Sequence, residues 1–529
     1  MSMRSLPDRP DLDQLRRQAK ELRDSARGGD GGALDRISTY APGLDPAVLA
    51  TAQLVIAREY GCGSWAGLKT EVQARAAAAT MSRDERVLEF LAASISGMTM
   101  RRAARLLAID PGIAGHDFRT AVILGDADRV RRHLTRDPGL AIRPDTWSGW
   151  LPLHGVCMSR WHHIDGARTA GLTEVARLLL DAGGDPDAAI GRQGERGYCA
   201  PLYAAAGCAD NPAITELLLH RGGHFDDHTV YLAAFHHGHE CLRLLLDHGP
   251  LAADSTALAA PISTGDTEGA RLLLDGGADP AHALPGDLFG ERHPADPPLP
   301  PVYAAVQFEC PAELVELLLD RGADPDATIP GGQAPYQLAV RHGRTDLAGL
   351  LAESGARREA SPVDRLLDAC LRADHRAAER LLHDNTDLMG RLTDADHAAL
   401  VRAADHGNVE AVRLMLELGF PIDARGDVDG VTALHAAAGA GGAEVVRLLL
   451  ARGADIDAGD TTWNSPPLHW ATIGSGFRLG HCPTPDWVAT VQAFIDAGAS
   501  LDGAWIDGKP PSPEVAQLLT AHGVSEPDE

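Results

Sequence analysis

A unit of about 33 residues recurs along most of the chain, and this repetition restricts the fold more than any other feature of the sequence. The fullest copy runs from Thr432 to Ala458 and reads TALHAAAGAGGAEVVRLLLARGADIDA. Related copies begin at Ala200, Thr229 and Pro300. A unit of this size cannot bury both of its faces alone, so neighbouring units must stack against one another. The repetition therefore predicts a stacked array, or solenoid.

Each copy pairs an alanine-rich stretch with a leucine-rich stretch. In the fullest copy, Ala436–Ala438 precede a glycine-containing break, which an apolar stripe follows at Val445, Val446, Leu448 and Leu449. Spacings of three and four positions place that stripe on one face of a helix. Gly453 then stands where a helix commonly ends in a left-handed conformation. We therefore predict two helices per unit, the first thin enough for close approach and the second closing the layer behind it.

The unit resembles the ankyrin repeat, whose pattern is Thr-Pro-Leu-His, an alanine-rich first helix, Gly-His, a leucine-rich second helix and Gly-Ala-Asp. The match is strongest over 432–458, good at 151–154, 200–203 and 466–469, and weaker from 334 and from 364. The resemblance implies an all-α ankyrin-repeat solenoid of paired antiparallel helices with short β-hairpin turns, in about ten or eleven units. It also implies a non-catalytic scaffold that binds another protein through its hairpin tips and concave face.

Other segments flank the repeats. We predict a helical leader or N-terminal cap over 1–80, a helical linker with a degenerate repeat over 81–116, the repeat array over 117–510, and a C-terminal capping helix with an acidic tail over 511–529. Ser64 is the predicted N-cap of the last leader helix. The leader resembles segments that precede ankyrin arrays in other bacterial proteins. A helix-turn-helix DNA reader is an alternative, but the last helix offers only Lys69 as a basic residue before Arg75.

Charge restricts the class of partner. The chain of 529 residues has 48 Lys and Arg against 74 Asp and Glu, a formal net charge of -26. Nucleic acids and anionic membranes need dense cationic contacts, so we expect neither as a partner. We expect a protein partner with a basic patch instead. The sequence has no apolar segment of signal-peptide or membrane-spanning length, so we predict a cytoplasmic protein, and we expect a monomer.

Histidines and cysteines form no recognisable metal site in the sequence. Four potential ligands are adjacent at His236, His237, His239 and Glu240, but neighbouring side chains on a helix point apart. His162 and His163 lie in an insertion without an identifiable third ligand. The eight cysteines contain no Cys-x-x-Cys pair, so we expect reduced thiols in the core. We predict no metal and no cofactor.

Catalytic motifs are also missing from the sequence. Residues 503–510 nearly spell a phosphate-binding loop, but Pro510 replaces the required Ser or Thr. His435 is an unpromising catalytic group because its position is occupied elsewhere by His154, His469, Tyr203, Leu232, Tyr303 and Gln337. The ankyrin resemblance implies that this histidine joins a neighbouring hydroxyl and the backbone in fixing the turn. We therefore predict no catalytic residue.

Aromatic residues at the tips and in three insertions are the candidates for recognition. The insertions begin at Ser159, Ala281 and Gly474, and alignment of the units places Trp147 and Trp463 at or beside hairpin tips. The predicted partner-binding residues are Trp147, Trp150, Trp161, Arg192, Asp429, Trp463 and Phe477. The alternative is that Trp147, Trp161, Phe289, Trp463 and Phe477 fold back as plugs over repeat edges. Two functional alternatives also remain: an enzyme or enzyme subunit with a site in the insertions, and a masking partner of one specific protein.

Overall fold

Helices make up the regular structure of the chain and are distributed over two units. The computed structural model describes residues 4, 6–7, 10–63, 65–97, 99–146, 148–191, 199–289, 297–426, 429–477, 480–505 and 511–524, without the side chains of Ala66, Asp287 and Phe289. The first unit comprises Met1–Ala260 with Asp275–Ala278, and the second comprises Pro261–Leu274 with Asp279–Glu529. This division falls inside the predicted array. The predicted boundaries at 80, 116 and 510 stay predictions.

The N-terminal helices of the first unit share one apolar cluster. They are α1 (Leu12–Arg27), α2 (Gly31–Tyr40), α3 (Leu49–Glu59) and α4 (Trp65–Thr80). Leu15, Ile37, Val55 and Leu68 belong to the cluster and are almost fully buried. Helix α1 begins where the Asp11 carboxylate accepts hydrogen bonds from the first free N–H groups of the helix. Ser64, the predicted N-cap of α4, lies outside the described residues.

The remaining helices of the first unit are mostly short first helices paired with longer second helices. They are α5 (Arg83–Ala93), α6 (Met100–Ile109), α7 (Phe118–Leu124), α8 (Ala127–Arg136), α9 (Pro152–Met158), α10 (Trp161–Ile164), α11 (Arg168–Asp181), a π-helix (Tyr203–Cys208), α12 (Pro212–His220), α13 (Asp227–Ala233) and α14 (Glu240–His248). Two 3₁₀ helices lie at Pro111–Gly115 and Pro138–Ile142. Helices α15 (Ala259–Thr264) and α16 (Thr267–Asp275) contain residues of both units.

The helices of the second unit also alternate between mostly short first helices and longer second helices. Its helices are α17 (Pro301–Gln307), α18 (Ala312–Asp320), α19 (Pro335–Arg341), α20 (Thr345–Glu353), α21 (Pro362–Leu371), α22 (His375–Asp384), α23 (Asp394–His397), α24 (Ala399–Asp405), α25 (Val409–Glu417), α26 (Ala433–Gly439), α27 (Ala443–Ala451), α28 (Pro467–Phe477), α29 (Trp487–Asp496) and α30 (Pro513–Ala521). Two 3₁₀ helices lie at Gly286–Phe289 and Leu388–Arg391. No helix of the described residues is long and apolar enough to span a bilayer.

Helices α26 and α27 show how the repeat sequence specifies its own structure. Val445, Val446 and Leu449 are fully buried, and Leu448 is half-buried beside them. Gly453 has a φ of 86° and lies just past the end of α27. The N–H of Ala454 then donates to the carbonyl of Leu449 at 3.1 Å, which satisfies one of the last helical carbonyls. The predicted stripe and the predicted stop are both confirmed.

Close approach of successive first helices explains why their side chains are small. A Cβ atom at Gly474 in α28 would lie 2.2 Å from the carbonyl oxygen of Gly439 in α26. A second helix makes a similar contact in the first unit, where a Cβ at Gly171 in α11 would lie 2.4 Å from the carbonyl oxygen of Gly125, just after α7. Both obstacles are backbone atoms, which cannot rotate away. The stack therefore needs glycine at these two contacts.

Three of the turns between successive repeats contain a single β-bridge each. Isolated antiparallel bridges join Ile190 to Cys199, Leu284 to Leu299 and Arg425 to Thr432, and the described residues contain no strand. The all-α prediction is confirmed. The predicted β-hairpins are reduced to one bridge each, because the chain leaves the turn for the next first helix within a few residues.

Candidate interaction surface

The turn before α26 is organised by His435, which is fully buried. Its Nδ1 accepts hydrogen bonds from the backbone N–H of Thr432 at 3.2 Å and from the Thr432 hydroxyl at 2.8 Å. Its Nε2 therefore carries the proton and donates to the carbonyl of Ser465, 3.0 Å away in the next turn. Burial lowers the pKa of His435, so the ring is neutral near pH 7. The structural role implied by the ankyrin resemblance is confirmed for this residue.

Three other repeats have a polar side chain at the position of His435, and it also forms a hydrogen bond with a later repeat. The Nε2 of His154 donates to the carbonyl of Cys199 at 3.1 Å, and the Nε2 of His469 donates to the carbonyl of Asp502 at 3.1 Å. Where glutamine stands at this position, the Gln337 amide donates to Asp364 at 2.9 Å. Each of these side chains reaches forward to a later unit. In these repeats the side chain at this position therefore connects one repeat to the next.

Two neighbouring tips in the second unit are held together by polar contacts. Asp429 adopts a left-handed φ of 53° at the first tip. Its carboxylate accepts from the Thr462 hydroxyl at 2.7 Å, and its backbone carbonyl accepts from the N–H of Thr461 at 2.8 Å. Arg425 donates to the carbonyls of Gly430 and Gly459 at 2.6 Å and 3.0 Å. Asp429 thus fixes the second tip relative to the first.

Trp463 lies on this second tip and exposes 52% of its surface. Its ring centroid is 6.0 Å from that of Trp470, which is half-buried. Asp460 organises the turn: it accepts from the N–H of Trp463 at 2.6 Å and from the Trp470 indole at 3.0 Å. Burial alone would raise the pKa of Asp460, but these hydrogen bonds outweigh burial and hold its pKa below the usual value. A large exposed indole is therefore carried on a turn that is itself firmly held.

The other predicted contact residues lie in different places. Trp150 is half-buried and lines a cavity of about 430 Å³ in the first unit, beside Phe118 and Leu151. Phe477 is 54% exposed but ends α28, which begins just after the Trp463 tip. Since α28 has 11 residues and is roughly 16 Å long, Phe477 and Trp463 lie at its opposite ends. Trp147 and Arg192 are outside the described residues.

Trp161 was predicted to contact a partner, but only 3% of its surface is exposed. Its indole N–H donates to the Ser94 hydroxyl at 3.0 Å, and its ring packs against Phe90 with centroids 5.7 Å apart. The Arg168 guanidinium lies over the ring, 5.2 Å from its centroid. The first insertion thus folds back as the plug interpretation expects, and Trp161 has no surface to offer a partner. The Phe289 side chain is outside the described part of the chain.

Three histidines of the two clusters donate hydrogen bonds to backbone carbonyls. The Nε2 atoms of His162 and His163 donate to the carbonyls of Asp210 and Ala209 at 3.2 Å and 2.8 Å. His236 and His239 lie in the turn after α13 and not on a helix, and His236 donates to the carbonyl of Gly207 at 2.9 Å. In the described ranges, no group of three or more His, Cys, Asp or Glu residues could hold a metal ion.

The cysteines are eight free thiols, of which five are buried and Cys62, Cys208 and Cys482 are half-buried. Burial raises the pKa of the Cys370 thiol to about 12. A thiol with so high a pKa carries almost no thiolate at neutral pH and is a poor nucleophile. The buried cysteines therefore behave as small core side chains.

A cluster of charged residues in the second unit was missed by sequence reasoning. The side chain of Glu309 is 7% exposed and forms an ion pair with Arg402. A carboxylate oxygen of Glu309 also lies 2.8 Å from the Nε2 of His406. Arg402 is 93 positions from Glu309. Neither periodicity nor a short motif relates residues so far apart. The only available signal was that several units carry His or Arg near the ends of their first helices.

Comparisons with known proteins find similarity to ankyrin repeats. Residues 202–283 and 366–460, together about a third of the chain, match the family model described as ankyrin repeats (3 copies). An ankyrin repeat domain from Acinetobacter baumannii AYE aligns at 21% identity and a TM-score of 0.31, covering 39% of this chain and 98% of its own. The human ASB11 ankyrin repeat domain aligns at 20% identity and a TM-score of 0.21, covering 46% and 98%. No curated protein matches the sequence. The family-model match shows ankyrin repeats over residues 202–283 and 366–460, within a chain whose described residues form an all-α fold.

Proposed function

We propose that the chain is a non-catalytic scaffold that binds another protein, and that the tip bearing Trp463 is its main recognition surface. Ankyrin repeats in general mediate protein–protein interaction. The observation that carries this proposal is the indole of Trp463, 52% exposed on a turn held by Asp460. Tryptophan is enriched among the few residues that supply most of the binding energy in protein interfaces.

The rigidity of this tip favours binding. Association normally costs free energy because interface loops and side chains lose freedom when they become ordered. Here Asp460 orders the turn, and the contacts of Asp429 with Thr461 and Thr462 fix it against the neighbouring tip. Trp463 is therefore presented in one arrangement before a partner arrives. We assign Asp429 a positioning role in this surface.

The negative charge of the chain favours a partner with a basic surface. The chain carries a formal net charge of -26, and Asp423, Asp455 and Asp457 are exposed on the turns that lead to the two tips. A Lys- or Arg-rich patch on the partner would be attracted to these carboxylates, and the association rate would fall as salt screens them. The scaffold acts in this proposal as a cytoplasmic monomer.

The test compares Trp463→Ala with Val488→Ala, which removes another exposed apolar side chain, 40% exposed on α29. Proteins captured from the native host by the wild-type chain and by Val488→Ala should be lost with Trp463→Ala. For a purified partner, the dissociation constant should rise about thirtyfold, equivalent to about 2 kcal/mol at a central aromatic contact. Unchanged capture by Trp463→Ala together with a lower melting temperature would show that the indole is a structural plug, and would refute the proposal.

A further inference from the structure

The described part of the third insertion that follows α28 crosses the C-terminal ends of two first helices in the second unit. We call its residues Gly480–Asp486 the strap, and the ends of α24 and α26 beneath it the inner face. The N–H of Asp486 donates to the carbonyl of Gly441 at 2.9 Å. Just after the strap, the indole of Trp487 donates to the carbonyl of Gly439 at 3.1 Å. These two bonds attach one end of the strap to α26.

Close backbone approach shows that the strap lies directly on the inner face. A Cβ atom at Gly480 would lie 2.5 Å from the Cβ of Ala440 and 2.6 Å from a carboxylate oxygen of Asp405. A Cβ at Gly407 would lie 2.7 Å from the sulfur of Cys482. Glycine on each side therefore permits the contact. While the strap is in place, no other polypeptide can occupy this part of the inner face.

A histidine ion pair holds the other end of the strap. His481 Nδ1 lies 2.6 Å from a carboxylate oxygen of Asp405, at the end of α24. The His481 ring stacks on His406, with centroids 5.2 Å apart and planes 12° apart. His406 in turn lies 2.8 Å from the Glu309 carboxylate, which also pairs with Arg402. The strap is thus connected by one ring stack to a buried carboxylate.

The groups that surround this histidine pair set its charge. They are Glu309 after α17, His342 after α19, Arg344 before α20, and Arg402, Asp405 and His406 at the end of α24. Burial and the charge of Arg402 lower the pKa of His342 to about 3, so His342 is neutral and forms no ion pair with Glu309. Arg344 donates to the backbone carbonyl of Glu309 at 3.0 Å. The Glu309 and Asp405 carboxylates therefore face Arg402 and the two remaining histidines.

Both of those histidines are easier to protonate than usual. The hydrogen bond to Asp405 raises the pKa of His481 above its ordinary value of 6.5, and it outweighs both burial and the repulsion from a protonated His406. Burial is the largest single influence on His406 and would lower its pKa, but the hydrogen bond to Glu309, the charges of Glu309 and Asp405 and the hydrogen bond to the Arg402 carbonyl together raise the pKa above 6.5. A raised pKa means that the stabilisation is fully present below about pH 6.5 and is lost as the pH rises through the raised values.

From this geometry we propose that the strap is a proton-operated clasp, closed over the inner face while His481 and His406 are protonated and released when they lose their protons. Release removes the imidazolium from Asp405 and leaves that carboxylate beside the face of the His406 ring. A Lys or Arg side chain of a basic partner segment can then take the place of His481. The strap is accordingly autoinhibitory, and it acts on a surface other than the Trp463 tip.

Hydrogen exchange of the full chain tests the clasp. Exchange followed by mass spectrometry, with rates corrected for the intrinsic effect of pH, should show the Asp486 amide, which is protected by its hydrogen bond to Gly441, opening about tenfold more often at about pH 8.5 than at about pH 6. Peptides from α27 should keep their protection at both values. Equal strap protection at the two pH values would overturn the proposal, as would a parallel loss in α27, which would indicate general unfolding.

Two variants make the test specific. Asp405→Asn should open the strap at about pH 6 and abolish its pH dependence, because the imidazolium loses its counter-ion. Asp368→Asn is the matched control, since Asp368 pairs with Arg372 on α21, and it should leave strap exchange unchanged. If Asp405→Asn folds poorly, His481→Asn tests the same ion pair, because it removes the titrating group from the strap. Wild-type pH dependence in His481→Asn would refute the clasp.

Discussion

Replacement of Gly474 by alanine should destabilise the second unit although alanine is the better helix former. The new Cβ would lie 2.2 Å, 2.9 Å and 3.0 Å from the carbonyl oxygen, carbonyl carbon and Cα of Gly439. An ordinary contact begins near 3.4 Å, so α28 and α26 would have to separate by about 1 Å. Overpacking of this kind costs about 1–3 kcal/mol, which exceeds the gain of about 1 kcal/mol from helix propensity. We expect a net loss of about 2 kcal/mol.

Gly349→Ala is the control for this substitution. Gly349 also lies within a helix, α20, but a Cβ there would meet no atom within 4 Å. Alanine should therefore stabilise this helix by about 0.5–1 kcal/mol. Native-state hydrogen exchange reports the free energy of opening separately for α20 and for α26 with α28, which avoids the assumption that a two-unit chain unfolds in one step. If Gly474→Ala protected α26 as well as Gly349→Ala protects α20, the close-approach argument would be wrong.

Three further outcomes are expected. Arg402→Met leaves Glu309 buried with one cation fewer, and urea denaturation should show the second unit destabilised by about 3 kcal/mol; an unchanged midpoint would contradict the buried ion pair. Trp161→Phe keeps the ring packing but loses the hydrogen bond to Ser94, so the melting temperature of the first unit should fall by an amount equivalent to about 1 kcal/mol. Burial lowers the pKa of His435, so the unfolded chain binds the proton more readily, and wild-type stability should fall more steeply below about pH 6.5 than that of His435→Leu; parallel pH profiles would rule out this contribution.

Local features were predictable because their determinants are close together in the sequence. The stripe of Val445, Val446 and Leu449 has the period of a helix, and Gly453 ends that helix where the pattern stops. His435 and its hydroxyl partner Thr432 are only three positions apart. Helix pairing, helix ends and turn chemistry could therefore be predicted from single units.

Contacts between distant segments could not be predicted in this way. His481 is 76 positions from Asp405, and its partner is decided by the route of the insertion over the stack. Trp161 illustrates the same limit, since its sequence context marks a large aromatic residue in an irregular segment but not the Ser94 hydroxyl, 67 positions earlier, that receives it. Whether an aromatic side chain is a plug or an exposed contact depends on tertiary packing that the repeat pattern does not encode.

The forward-reaching histidines also affect how the protein is made. His435 completes its hydrogen bonds with a carbonyl 30 residues later, and His154 with one 45 residues later. At synthesis rates of roughly 5–20 residues per second, each such turn waits about two to nine seconds for its acceptor. During that time the unit exposes a polar ring and an uncovered apolar face to the solvent at the ribosome. A repeat whose histidine bonds forward therefore has its folding template in the repeat that is made just after it.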